Sequence, residues 1–124
     1  MKMLKLNHKN LEVWKRSIKL ISEIYSITDN FPKKEMFGLS NQMRRASISI
    51  ASNIAESASR KSCLERRRFY EIARSSAVEL DTQLEIALML NYISKIELDK
   101  IEEDFIQLFK MLSGLIKATI NLIH

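Results

Sequence analysis

Residues 42–56 read Gln42-Met43-Arg44-Arg45-Ala46-Ser47-Ile48-Ser49-Ile50-Ala51-Ser52-Asn53-Ile54-Ala55-Glu56, with no glycine or proline to interrupt them. Apolar side chains recur at helical spacing: Leu39 just upstream, then Met43, Ala46, Ile50 and Ile54. A second line is polar: Gln42, Arg45, Ser49, Asn53, Glu56 and Arg60. At 100° per residue these six fall within about 80° of arc. Small residues crowd the stretch (Ala46, Ser47, Ser49, Ala51, Ser52, Ala55, Ala58), which lets a neighbouring helix come close. The pattern predicts a helix from after Pro32 to about Ser59, irregular near Gly38, with one core face and one polar seam.

Downstream, Ser62-Cys63-Leu64-Glu65 has capping-box form and opens a helix that runs to about Asn91. Phe69, Ile72, Ala73, Ser76, Leu80, Leu84, Ala87 and Leu88 make its core stripe, with Arg68, Glu71, Ser75, Glu79 and Thr82 as a polar line beside it. Upstream, Leu11, Trp14, Ile18, Ile21 and Tyr25 mark the apolar face of a helix from about Leu11 to Thr28, capped by Asn10 and broken at Asn30-Phe31-Pro32. A second capping box, Ser94-Lys95-Ile96-Glu97, opens the last helix. Its core line is Leu98, Ile101, Phe105, Leu108, Leu112, Leu115, Thr119 and Leu122. Phe109, Ile116 and Ile123 widen this stripe on one side, Ile106 and Ile120 on the other. Such a face is broader than one intramolecular seam needs. The surplus either lies deep in the bundle or meets another subunit, and Phe109, Ile116 and Ile120 are the candidate oligomer interface. Short connections between long helices imply antiparallel neighbours. The expected fold is all-α, an antiparallel up-and-down four-helix bundle. It forms one domain over residues 1–124, with residues 1–10 as a basic N-terminal arm.

Among 124 residues there are 2 Gly, 1 Cys and 2 His, and these counts exclude several kinds of chemistry. Two glycines, Gly38 and Gly114, write no phosphate-cradling loop. His8 and His124 stand near opposite ends, and no Glu-x-x-His occurs, so a di-iron carboxylate centre lacks its ligands. The serines of the central helices have no histidine base in sequence reach. Cys63 sits near a helix N-terminus and Lys61, both of which lower a thiol pKa, but a structural role is the simpler reading. No enzyme activity, catalytic residue, metal site, cofactor or small-molecule substrate is expected. The N-terminus is too polar for a signal peptide and no apolar run is long enough to span a membrane, so the expected location is the cytoplasm.

Charge carries the functional signal. Lys and Arg number 20 against 15 Asp and Glu, a net +5. From Arg60 to Arg74 six cations stand against two carboxylates, a net +4. Arginine presents a planar fork to phosphate oxygens. Cations at a helix N-terminus oppose its dipole, which favours a functional reading over a merely solvated helix start. The candidate nucleic-acid-binding residues are Arg44, Arg45, Arg60, Lys61, Arg66, Arg67, Arg68 and Arg74. Arg45, Ser49, Asn53, Glu56 and Glu79 form a candidate structural polar network; the alternative is a solvated seam of local pairs. A basic face also suits an acidic protein partner, so an interaction scaffold is the competing class.

Three segments resemble the four-helix-bundle family of 23S rRNA intervening-sequence proteins. They are Leu11-Glu12-Val13-Trp14-Lys15, Phe31-Pro32, and the run Gln42-Met43-Arg44-Arg45-Ala46-Ser47-Ile48-Ser49-Ile50 with Asn53-Ile54-Ala55-Glu56. Phe69, Ile72-Ala73, Ser76, Glu79-Leu80 and Thr82-Gln83-Leu84 match on the next helix. Ala51 departs from the family's usual proline, and Ser57 and Ser75 from its usual glycines. The resemblance implies a small non-enzymatic bundle that assembles as a homopentamer. It also implies kinship with the accessory protein of diversity-generating retroelements, a basic ring that binds nucleic acid.

Overall fold

The computed structural model describes residues 4, 6, 8 and 11–123. Four helices account for most of them: α1 Glu12–Thr28, α2 Leu39–Ser59, α3 Cys63–Met89 and α4 Lys95–Ile123, with a 3-10 turn at Lys33–Glu35 before α2. No strand occurs among the described residues. Asn10, expected to cap α1, and the side chains of Leu122 and Ile123 lie outside the described residues; the N-cap position of α1 belongs to Leu11.

Local chemistry sets the boundaries. Ser62 accepts the Glu65 backbone N–H at 3.2 Å and starts α3. Ser94 and Glu97 form the full reciprocal box at α4, with bonds of 3.0 and 3.1 Å. α3 ends in a Schellman motif. Asn91 takes φ 60, and Tyr92 and Asn91 donate to the Ala87 and Leu88 carbonyls. Asparagine tolerates this left-handed position better than other side chains. Glu35 accepts from the Leu39 N–H at 3.3 Å and from the Tyr92 hydroxyl at 2.8 Å, which ties the α1–α2 loop to the α3–α4 loop. The Tyr92 hydroxyl, followed by the Leu39 N–H, holds the Glu35 carboxyl below its usual range. A Cβ on Gly38 would lie 2.8 Å from Glu35 Oε1, so a glycine leaves room for this cap.

Hydrogen bonds fix the course of the chain. Ser49 bonds Ser76, while Ser57, further along α2, bonds the carbonyl of Arg66, earlier on α3. α2 and α3 therefore run in opposite directions. Arg74 reaches Ser113 across α3 and α4, which a short loop joins at their other ends. Each helix packs on two neighbours in the order α1, α2, α3, α4 and back to α1.

The core follows the expected lines on α2 and α4: Met43, Ala46, Ile50 and Ile54 are buried, as are Ile101, Phe105, Leu108 and Leu112. α1 is rotated from its expected face. Its buried line is Val13, Ser17, Leu20, Ile24 and Ile27, while Ile18 and Tyr25 are exposed and Trp14 and Ile21 half-buried. Ser17 can sit at the centre because its hydroxyl bonds the Trp14 carbonyl at 2.6 Å. On α3 Ile72 is exposed, and Tyr70, Ala77 and Gln83 join the core. Ile106 lines the same α3/α4 groove as Phe109 rather than the opposite edge of α4.

The α1/α4 seam is polar. Lys19 pairs with Asp104 at 2.6 Å, and Arg16 approaches the same carboxylate at 3.5 Å. The Lys19 hydrogen bond holds Asp104 below the usual carboxylate range. Loss of hydration pushes the nearby Glu23 carboxyl up, and its Oε1 is buried without a hydrogen-bond partner. Among the described residues no helix is long and apolar enough to cross a membrane.

Candidate nucleic-acid interface

The α2–α3 turn is rigid at its base. Arg60 ends α2 in an extended conformation, with its N–H on the Ser57 carbonyl. Buried Ser57 donates to the Arg66 carbonyl at 3.0 Å, and Arg66 Nε returns a bond to the Arg60 carbonyl at 2.8 Å. The Arg66 guanidinium is thus oriented by its backbone neighbours and has no ion pair among the described residues. Arg60 pairs with Glu56 at 3.0 Å and lies over the Phe69 ring at 4.9 Å. Arg67 pairs with Glu71 at 2.9 Å. Lys61 and Arg68 are exposed and have no hydrogen bond or ion pair among the described residues. Five cations therefore surround the positive end of α3, two of them neutralised in part by local carboxylates. Cations at the positive end of a helix dipole repel it. A bound anion removes that conflict and meets guanidinium, ammonium and helix dipole together.

The other three candidate arginines lie elsewhere. Arg44 and Arg45 are 15 to 16 residues before Arg60 on α2, about 23 Å away at 1.5 Å per residue. Arg44 donates to Thr28 at 2.9 Å and Asp29 at 2.7 Å and stacks over Tyr25 at 4.6 Å. It belongs to the α1/α2 face. Arg45 is exposed on the outer edge of the α2/α3 seam and has no hydrogen bond or ion pair from its side chain among the described residues. Arg74 points to α4, where it donates to Ser113 at 3.2 Å and lies 4.5 Å over Phe109. The candidate cations are thus divided between the α2–α3 turn and three faces of the bundle.

The candidate polar network divides as well. Ser49 and Ser76 share a 2.8 Å hydrogen bond across the helices, and Asn53 Nδ2 donates to the Ser49 carbonyl and hydroxyl at 2.8 and 3.1 Å. Glu56 is exposed and bonds only Arg60. Glu79 is exposed and accepts from Gln83 on its own helix. Arg45 joins neither. A compact neutral cluster replaces the expected charged one.

The course of the helices also returns the start of α1 and the end of α4 to the turn's end of the bundle. This adds Lys15 and Lys117, both exposed and unpaired among the described residues. In the sequence Lys15 and Lys117 stand far from the basic run, and only the antiparallel course relates them to Arg68.

With this geometry in view, the chain was compared with known proteins. A family model described as 23S rRNA-intervening sequence protein matches residues 9–114. Among solved structures, a protein of unknown function from the S23 ribosomal protein family of Bacteroides thetaiotaomicron superposes with a TM-score of 0.78 at 25% identity, covering 85% of this chain and 95% of that one. No curated protein matches.

Proposed function

The chain belongs to the 23S rRNA-intervening sequence protein family, and from that premise we propose that it is a non-catalytic RNA-binding protein that contacts phosphates from the α2–α3 end of the bundle. The observation that carries this reading is the group Lys61, Arg66 and Arg68, held at a rigid turn beside the positive end of α3 without a carboxylate on any of the three. Lys61 and Arg68 are the primary phosphate contacts, with Arg66 oriented between them in sequence. Arg60 and Arg67 retain free N–H groups at the rim. Phosphate contacts carry affinity without reading base sequence, and the turn offers no exposed aromatic ring for stacking. Self-association, into the pentamer that the family resemblance implies, would bring several such turns to one ligand and multiply weak contacts. Cytoplasmic residence is part of the same reading.

Filter binding of the purified protein to generic single-stranded RNA and to duplex DNA tests it. Affinity is expected to fall log-linearly with salt, by about 0.7–0.9 per phosphate neutralised. Absence of binding at low salt overturns the reading and leaves an acidic protein as the partner of this surface.

A further inference from the structure

The end of the bundle away from the α2–α3 turn is apolar. On the α1–α2 loop Met36 is 56% and Phe37 90% exposed; around the α3–α4 loop Met89 is 71%, Leu90 43% and Ile96 70% exposed. The 2.8 Å bond from the Tyr92 hydroxyl to Glu35 joins the two loops, and the Phe31 ring packs 5.3 Å from that of Tyr92. The five side chains are therefore presented together on one braced end. Single apolar residues scattered over a surface need no explanation, but a cluster of large ones marks a contact surface.

Charge and shape select what covers it. Four carboxylates at this end are engaged within the chain: Asp29 by Arg44, Glu35 by Leu39 and Tyr92, Glu97 by the Ser94 N–H and Asp99 by Lys95. Lys33 and Lys34, just before Met36 and Phe37, are exposed and have no hydrogen bond or ion pair among the described residues. Glu85, Lys100, Glu102 and Glu103 stand about 6–10 Å farther down their helices than Met89 and Ile96. The tip is thus apolar with a free cationic edge. A second copy stacked end to end is a poor occupant, because Lys33 and Lys34 would meet either their own kind or the cations of the α2–α3 turn. A side chain exposed as fully as Phe37 stands proud of the surface, and a medium that flows around it covers it better than a rigid groove. We infer that this end docks on an anionic lipid surface. Met36, Phe37 and Ile96 enter the headgroup boundary, and Lys33 and Lys34 meet lipid phosphates. The contact is peripheral, since among the described residues no helix is long and apolar enough to cross a membrane. The α2–α3 turn lies about 30 Å away along α2 and faces away from the lipid, so the inference does not depend on RNA binding there.

Flotation of the purified full chain with vesicles tests it, using phosphatidylcholine alone or mixed with phosphatidylglycerol at about 0.1 M salt. The chain should float with the mixed vesicles and stay in solution with phosphatidylcholine alone. Lys33→Gln/Lys34→Gln should weaken binding to the mixed vesicles about 30-fold, and Met36→Ser/Phe37→Ser at least about tenfold. Lys61→Gln/Arg68→Gln, which strips cations from the other end, should float like the wild type. A wild type that stays in solution, or undiminished binding by Met36→Ser/Phe37→Ser, overturns the inference. A loss seen only in Lys61→Gln/Arg68→Gln places the lipid on the other end and overturns it too. So does a changed mass of Met36→Ser/Phe37→Ser in light scattering, because another copy would then cover the tip. If that variant fails to fold, Phe37→Trp replaces it. Its added emission should shift to the blue on the mixed vesicles, beyond any change from the wild type's single Trp14; an unshifted spectrum overturns the contact. RNA binding is read separately by filter assay, so either reading can fall while the other stands.

Discussion

Lys61 and Arg68 are the sharpest test of the binding surface because neither has a role within the chain. The double substitution Lys61→Gln/Arg68→Gln removes two positive charges and breaks no hydrogen bond or ion pair among the described residues. The melting temperature should therefore stay within about 1 °C, as for other surface changes away from structural features. The cost in binding follows from counterion release. Each cation that neutralises a phosphate contributes about 0.7–0.9 to the slope of log K against log salt. At 0.1 M salt that is about 0.7–0.9 log units apiece, so two contacts are worth about 25- to 60-fold per bound chain. Fluorescence anisotropy with single-stranded RNA across about 0.05–0.2 M salt should show both the weaker affinity and a slope shallower by about 1.4–1.8. Lys95→Gln is the matched control. Lys95 opens α4 at the opposite end of the bundle, about 33 Å along the helix from Lys117, and already pairs with Asp99 on its own helix. Its loss should change affinity less than twofold. An unchanged slope in the double variant, or an equal loss in the control, would refute the placement of the interface.

Three further outcomes follow from single side chains. Glu56→Ala should lower stability by only about 0.3–0.5 kcal/mol, since an exposed i,i+4 pair is all it removes; a fall in melting temperature beyond about 10 °C would place Glu56 in a buried charged set. Gly114→Ala should raise stability by about 0.5–1 kcal/mol in denaturant titration, because an added Cβ meets nothing within 4 Å and α4 is helical there. Glu23→Gln should raise the melting temperature at pH 7. Loss of hydration raises the folded-state pKa of Glu23, so the folded chain binds its proton more readily than the unfolded one, and wild-type stability falls as pH rises through that range. The advantage of Gln should shrink as pH drops toward 4.5 and below; an advantage independent of pH would mean that ionisation of Glu23 is not its source.

The bundle was legible because three kinds of signal agreed: apolar period, capping chemistry and the scarcity of helix breakers. Where only hydropathy spoke, it misled. Trp14, Ile18, Ile21 and Tyr25 form a cleaner apolar line than Val13, Ser17, Leu20 and Ile24, yet the second line is the buried one. Periodicity counts side chains and is blind to which neighbours a helix has. A serine that satisfies its hydroxyl on its own helix counts as polar in the sequence and as core in the fold. The arginines mislead for a geometric reason. Arg68 and Arg74 are six residues apart, which on a helix is about 240° of rotation, so Arg74 reaches Ser113 on α4 while Arg68 is left exposed. The partners that engage Arg44 lie across a loop at Thr28 and Asp29, a relation that no local spacing records. The surplus apolar width of α4 was visible, but the exposed Ile18 and Tyr25 of α1 were hidden within an expected core.

The unequal seams between the helices bear on how the molecule opens. α2 and α3 meet through small side chains, with Ser49, braced by Asn53 on its own helix, bonded to Ser76 across the seam and Ser57 fastened to the Arg66 backbone. α1 and α4 meet through a solvent-facing charge cluster centred on Asp104. Native proteins open in cooperative units of different free energy. On that basis α1 should detach at least cost, and the helical amide protons of the α2–α3 hairpin should be the last to exchange. The turn carrying Lys61 and Arg68 joins the two helices of that unit, so its cations should keep their spacing even while α1 lifts and reseats.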